Sequence, residues 1–336
     1  MMQSSKEKPR VLFSIVTFNE ENRILKCIEA IKNLKYPADR LKIVVADANS
    51  KDNTVKILKK NNVDVVQNVY QYPEPGHVLN YLSNEFDYFV FVAADNIILG
   101  NDWLDKILKV FEENEDIPLI TPLVKITKYD EPISNFLNYD TDPFNSFFYF
   151  IGSNPRFFDF KYKVLKESID YKIYQFKEKE PPLIALAQCT VVNKEKFKII
   201  TKQLSREELK NVDDLQAVWE SIKKQKKFAV SKNAFTMHTS IKNLGDFYKK
   251  FDKRIQFSLK SKSFRNREKY FSFPHKIRKY LFLVLSIFPV YQTIIAIFRF
   301  MISREKFHFY YPATSFLLVI LIIKNYIYLN VINKKC

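Results

Sequence analysis

Over its first 124 residues the chain keeps switching between two periodicities, and this alternation constrains its fold more than any other feature. Short apolar or β-branched runs fall at Val11 to Thr17, Leu41 to Ala46, Val63 to Asn68, Tyr88 to Ala93 and Ile117 to Val124. Between them, Glu20 to Leu34, Asp52 to Asn61, Val78 to Glu85 and Trp103 to Glu113 read as helices, with apolar residues at helical spacing such as Ile24, Cys27, Ile28 and Ile31. Strand-length runs alternating with helices imply βαβ units, hence an α/β fold with a mostly parallel sheet flanked by helices. In such sheets ligands bind outside the carboxyl ends of the strands. Polar residues just after each strand are therefore candidates for a site.

Three clusters qualify. Thr17-Phe18-Asn19-Glu20 ends the first strand, Asp47 through Thr54 follows the second, and Ala94-Asp95-Asn96 follows the strand at Tyr88 to Ala93. In a parallel sheet all three converge on one rim. Carboxylates and amides there can bond a base and ribose. A lone carboxylate such as Asp95 can bind a hard divalent cation whose shell is completed by waters and phosphate oxygens. Such a cation stabilises a diphosphate as it leaves. Each cluster also has a plainer use: Asn19-Glu20 suits a helix start, and Asp47 to Thr54 or Asp95-Asn96 suits a turn.

Beyond residue 124 the alternation stops. Lys125 to Pro182 is aromatic and has no clear period. Ile184 to Val192 and Phe228 to Val230 read as strands, and Arg206 to Lys224 and Gly245 to Ser258 contain helices. Val212-Asp213-Asp214-Leu215 places paired acids in a helical stretch, where they complement the macrodipole or supply a base for an acceptor hydroxyl. His238, in Phe235-Thr236-Met237-His238, is either structural or a ligand.

These segments, in this order, resemble the family 2 inverting glycosyltransferases. Ser14-Ile-Val-Thr-Phe-Asn-Glu-Glu21 resembles that family's opening strand, and Ile43-Val-Val-Ala-Asp-Ala-Asn-Ser-Lys-Asp-Asn-Thr54 its second strand and turn. Phe89-Val-Phe-Val-Ala-Ala-Asp-Asn96 resembles its Asp-x-Asp strand, Asn211-Val-Asp-Asp-Leu215 its Glu-Asp motif, and His238 falls where the family often has His. The resemblance covers residues 10 to 258. It implies a GT-A fold and a UDP-, GDP- or dTDP-sugar donor. By match, Thr17, Asn19, Glu20, Asp47 and Asn80 are donor-binding, with Asp47 near the base. Asp95 and His238 are the implied ligands of Mg²⁺ or Mn²⁺, and Asp214 the base, with Asp213 beside it. The implied reaction is a single displacement with inversion. The chain departs from the pattern at Ala93, in place of the first Asp of Asp-x-Asp, at Asn49, in place of a Gly, and at Leu79, where a basic residue is common. The Gln-x-x-Arg-Trp motif of processive synthases is absent. Transfer of one sugar is therefore expected.

The C-terminal end is different in kind. Tyr280 to Phe298 is 19 residues without a charge, and Phe309 to Ile323 is 15 more, with apolar character resuming after Lys324-Asn325 through Ile332. The first run has the length of a spanning helix and the second is marginal. A two-helix membrane hairpin over residues 280–332 is expected, with one segment lying in the membrane plane as the alternative. The net charge is +17, and Lys249 to Lys279 holds twelve Lys or Arg against two acids. Basic residues beside an apolar run mark the cytoplasmic side of a membrane. The chain thus divides into a transferase domain over 1–258, a basic juxtamembrane segment over 259–279 and a membrane region. The transferase domain is expected on the cytoplasmic face.

A membrane-tethered transferase suggests a lipid-linked glycan acceptor, as in surface polysaccharide or glycoconjugate synthesis. The middle segment, Asp140 to Ser146 and Gly152 to Phe157, is a candidate for the acceptor side. A polyprenyl-phosphate sugar synthase and a degenerate scaffold are the alternatives. No nucleic acid partner is expected, because no stacking motif or recognition helix accompanies the basic run. Cys27, Cys189 and Cys336 are odd in number and widely spaced, which excludes a disulfide framework. No signal peptide is expected, since residues 1 to 10 are polar and charged.

Overall fold

The computed structural model of the chain describes residues 7–68, 76–77, 80, 85–150, 154–197, 214–238, 241–261 and 268–329. The chain forms two compact units, neither continuous in sequence. The first comprises Met1–Lys125, Lys163–Phe176 and Ile184–His238; the second comprises Ile126–Tyr162, Lys177–Leu183 and Thr239–Cys336.

The described strands are β1 (Val11–Thr17), β2 (Leu41–Asp47), β3 (Asp64–Gln67), β4 (Tyr88–Ala93), β5 (Asn96–Leu99), β6 (Leu119–Val124), β7 (Val164–Glu167), β8 (Tyr171–Gln175), β9 (Gln188–Asn193) and β10 (Lys227–His238). They form one sheet in the first unit, ordered β3-β2-β1-β4-β9-β6-β10-β8-β7, with β5 pairing β10. The described α-helices are α1 (Ile24–Lys32), α2 (Thr54–Lys60), α3 (Trp103–Glu113), α4 (Pro132–Asp140), α5 (Pro143–Phe148), α6 (Asp214–Gln225), α7 (Leu244–Ser261), α8 (Phe273–Ile287), α9 (Val290–Ser303) and α10 (Tyr310–Ile327).

β1 is buried at every position and runs parallel to both neighbours, β2 and β4. Ile24, Cys27, Ile28 and Ile31 of α1 and Trp103, Ile107, Val110 and Phe111 of α3 share one core with Phe13, Ile15, Val90 and Val92 of the sheet. Each such side chain contributes roughly 1.5–3 kcal/mol of burial free energy. The parallel expectation holds for β3-β2-β1-β4. Beyond β4 the sheet is mixed: β9 lies antiparallel between β4 and β6. The βαβ alternation that carried the expectation ends at Val124, and later strands arrive by other connections.

β10 is far longer than the short strand expected at Phe228 to Val230. The polar triplet Ser231-Lys232-Asn233 suggests an end, but it forms an irregularity within the strand, where the register against β6 shifts. Ser231 Oγ accepts from the Ala234 amide at 3.0 Å, and Asn233 Nδ2 donates to Asp170 at 2.6 Å. The strand then continues to His238.

In the second unit, α4 buries Ile133, Ser134, Asn135, Phe136, Asn138 and Asp140. A short helix buried on most sides has no polar stripe, so no period was visible there. α5 starts on Asp142, whose carboxylate accepts from the Asn145 amide at 3.0 Å, and on Pro143 at its first position. Phe247 and Phe251 of α7 pack with Ile133, with Phe282 of α8 and with Leu318, Val319 and Leu321 of α10.

The single spanning helix expected from Tyr280 is not formed. The run breaks into α8 and α9, whose axes are bent by 96°. Pro289 has no amide to donate, and Phe288 before it is extended, at φ −108° and ψ 103°. The second run gives α10. Among the described residues Lys306–Ile327 is the one helix long and apolar enough to cross a membrane, and 44% of its apolar 18-residue stretch is buried within the protein.

Candidate active site

Parallel pairing brings the three polar clusters to one rim. Thr17 lies opposite Asp47, and Val16 opposite Ala93. The ladder runs on past the strand ends: the Ala48 amide donates to the Thr17 carbonyl at 2.9 Å and the Asn68 amide to the Asp47 carbonyl at 2.8 Å.

The loops after β1 and β2 are laced together, each side chain capping the other loop's backbone. The amides of Asn19, Glu20 and Glu21 donate to Ser50 Oγ, Thr54 Oγ1 and Asp52 Oδ2 at 2.8, 2.8 and 3.0 Å. In return the Lys51 amide donates to Asn19 Oδ1 at 2.7 Å and the Asn53 amide to Glu21 Oε2 at 2.9 Å. Burial of Asp52 works toward protonation, but hydrogen bonds from the Thr54 hydroxyl and from the Glu21 and Thr54 amides prevail and hold its carboxylate below the ordinary value. Asp47 closes a turn on itself, accepting from both the amide and the hydroxyl of Ser50. Asn19 and Asn49 both lie in the left-handed region, at φ 56° and 67°. Asparagine tolerates that conformation better than other non-glycine residues. Asn49 thus meets the backbone demand at the position where the resembled family usually has Gly.

Of the expected donor-side residues, Glu20 is held by Arg23 through two bonds of 2.6 and 2.8 Å. Thr17 Oγ1 is buried, with no hydrogen-bond partner among the described residues. Asn80 lies one layer beneath the rim, donating to Ser14 Oγ at 3.0 Å and to the Val44 carbonyl at 3.2 Å. His77 joins the same layer, its Nδ1 3.1 Å from Ser14 Oγ. Burial pushes its pKa down to about 3, so it is neutral at physiological pH. Gly76 admits this packing: a Cβ there would come within 2.5 Å of Ala46 Cβ. The Ser14–His77–Asn80 layer was not found from the sequence, where Ser14 is one small residue in an apolar strand and His77 only lies near Leu79.

The long β10 supplies the fourth contribution. His238 pairs with Asn96 across the β10–β5 ladder. Its Nε2 lies 3.3 Å from Asp95 Oδ2, and the two side chains are only 15% and 12% exposed. Asn96 Nδ2 donates to Asp95 Oδ1 and to the Ala187 carbonyl, both at 3.2 Å. Cys27 is buried, and burial first, then the charges of Asp95 and Glu20, push its thiol up to about 12. Cys27 and Cys189 are free thiols, as the cysteine spacing implied.

Among the described residues no group of three or more His, Cys, Asp and Glu side chains could hold a metal ion. Asp95 with His238 offers one oxygen and one nitrogen. That sparse set fits a divalent cation that takes most of its shell from waters and phosphate oxygens. Asp214 opens α6, while Asp213 lies outside the described residues. In the middle segment Asn154 and Arg156 have partners within their own unit. Asn154 Nδ2 donates to the Asn138 carbonyl at 3.1 Å, and the Arg156 guanidinium lies 5.8 Å over the Tyr139 ring.

A parallel half-sheet, extended by antiparallel strands and carrying an acid just past its fourth strand, defines a GT-A-type fold. The chain belongs to glycosyl transferase family 2: residues 13–200, more than half of it, match that family. It is similar to the mannosyltransferase PcManGT from Pyrobaculum calidifontis, solved with GDP-Man and Mn²⁺, with a TM-score of 0.56 at 13% identity over 96% of this chain and 88% of that one. It is 29% identical over 148 residues to procollagen galactosyltransferase 1 of Danio rerio, which is 35% of this chain and 24% of that protein. It is 31% identical over 97 residues to the SPbeta prophage-derived glycosyltransferase SunS of Bacillus subtilis (strain 168), covering 27% of this chain and 21% of that protein. These matches span under a quarter of either relative's length.

Proposed function

We propose that this chain is a glycosyltransferase that moves a single sugar from a nucleotide-diphosphate sugar to a hydroxyl acceptor, in one displacement that inverts the anomeric carbon. The meeting of Asp95 and His238, which are 3.3 Å apart on the first unit's sheet, is the observation that carries this reading. Thr17, Asn19, Glu20 and Asp47 receive the nucleotide, with Asp47 toward the base, and Asn80 serves the donor site from the layer beneath. Asp95 and His238 hold Mg²⁺ or Mn²⁺, and the Mn²⁺ in the Pyrobaculum structure supports that choice. Such a cation, when bound, neutralises charge developing on the diphosphate. Asp214 takes the acceptor's proton, with Asp213 beside it. Ala93 removes one carboxylate from the usual pair and leaves Asp95 to act with His238.

Residues 1–258 carry transfer, 259–279 form a basic segment, and 280–332 attach the chain to a membrane on its cytoplasmic face. An acceptor confined to a bilayer is best met by an enzyme confined there, so the reading names a lipid-linked glycan. The test is nucleotide release by detergent-purified protein from a panel of nucleotide sugars, with and without Mn²⁺ or Mg²⁺. Slow, metal-dependent release from one donor, lost in Asp95→Ala and slowed in Asp214→Asn during transfer, supports the reading. No turnover of any donor under any metal overturns it.

A further inference from the structure

The second unit leaves a large apolar surface uncovered, and its geometry says how a membrane would take it. Phe288 and Val290, at the bend between α8 and α9, are 75% and 68% exposed; Val284, Ile294, Phe298 and Ile302, along the two arms, are each more than half exposed. The outer ends of both arms are charged. Lys276, Arg278 and Lys279 lie near the start of α8, and Arg304, Glu305 and Lys306 follow α9. Two polar side chains near the bend turn inward: Gln292 and Ser286 are fully buried and bonded at 2.8 Å across it. Thr293 Oγ1 returns to the Pro289 carbonyl at 2.8 Å. A backbone break at membrane depth is tolerated where its polar groups are met within the protein.

The dimensions agree. At about 1.5 Å per residue, roughly 12 Å of α8 lies between Lys279 and the bend, and roughly 21 Å of α9 between the bend and Arg304. With the axes bent by 96°, the tip lies roughly 11 Å from the line joining those charges, within the ~15 Å of one leaflet of a ~30 Å hydrocarbon core.

α10 is the remaining candidate for a span, and both its ends are tied to polar elements. His308, just before it, pairs with Asp140 of α4 at 2.6 Å. Lys324 and Asn325, near its end, bond Asp252 of α7 at 2.8 and 2.6 Å. Asp252 sits on a helix that also carries Lys249, Lys250, Lys253 and Arg254. Such a helix stays out of hydrocarbon.

We propose that α8 and α9 form a wedge that enters one leaflet of an anionic bilayer and returns to the same face, with α10 held along that face instead of crossing. The inference rests on the membrane attachment proposed above and replaces the two-helix hairpin with a single-leaflet mode. The basic residues on both arms fit anionic head groups, which attract juxtamembrane Lys and Arg near the surface.

Sealed inverted vesicles from cells making the full chain provide the test, with Cys336→Ser removing one thiol and the buried Cys27 and Cys189 left in place. Glu305→Cys and Lys26→Cys, both at exposed positions, should react with a membrane-impermeant maleimide from the same side. Reaction of Glu305→Cys from the opposite side overturns the wedge. In a second arm, Phe288→Trp in purified protein should be quenched most by lipids brominated deep in the acyl chain, and vesicles with one-third anionic lipid should bind at least tenfold more tightly than zwitterionic ones. Absent quenching or equal binding also overturns it. Nucleotide release on the same vesicles reports the transfer reading separately, since loss of release with same-side labelling leaves the wedge standing.

Discussion

The two units solve the placement of polar groups in opposite ways. In the first, most side chains of interest lie within a few residues of the strand that aims them, gathered at one rim, and several are bonded to loop backbone. In the second, polar groups are buried and find partners far along the chain. Asp140 is almost fully buried between His308, at 2.6 Å and 168 residues away, and Arg299, which also donates to Ser146 Oγ at 3.0 Å. His308 passes the chain of bonds on to Ser303 Oγ at 2.8 Å. The difference separates chemistry held ready for a ligand from charge used to fasten helices.

If that contrast is right, damage in the two units should differ in kind. Asp140→Asn leaves the largely buried Arg299 guanidinium without its counter-charge and should cost about 3 kcal/mol of stability. Thermal melts in detergent measure this, and a loss below about 1 kcal/mol would erase the contrast. Asp95→Ala should lower nucleotide release about 100-fold or more, about 3 kcal/mol in barrier, with melting unchanged. A fall in melting matching that of Asp140→Asn would make Asp95 a fastener too.

The buried layer under the rim predicts a pH effect. His77 is neutral in the folded chain because burial holds it near 3, whereas the unfolded chain takes a proton below its ordinary value of 6.5. The associated stability is therefore complete above pH 6.5 and is lost as pH falls toward 3, by about 1.4 kcal/mol per unit, or about 3 kcal/mol by pH 4. Urea titrations from pH 7 to 4 should show that slope, and His77→Gln should flatten it. The smallest effect belongs to the loop. Asn49→Val at φ 67° should cost about 1–2 kcal/mol, and Asn49→Gly almost nothing; equal costs would remove the conformational argument.

Legibility followed the same division. β1, β4 and α3 matched their sequence readings end to end because each is a short apolar or amphipathic run with polar bounds. The convergence of Thr17, Asp47 and Asp95 followed from parallel pairing alone. The pairing of His238 with Asp95 did not, because it depends on β10 continuing through Ser231-Lys232-Asn233 and on β5, a four-residue strand with no run of its own. The break at Pro289 was concealed by uncharged residues on both sides, since hydropathy registers length and not backbone continuity. Asp140, Arg299 and His308 gave no local signal, because what specifies them is contact across more than 150 residues.

The lacing of the two donor-side loops has a consequence for hydrogen exchange. The amides of Asn19, Glu20, Glu21, Lys51 and Asn53 are each capped by the opposite loop, so neither loop can expose its amides while the other keeps its own. The five should exchange with solvent as one cooperative unit, at one shared opening free energy. A nucleotide that draws Asn19 away from Lys51 would then loosen both loops at once.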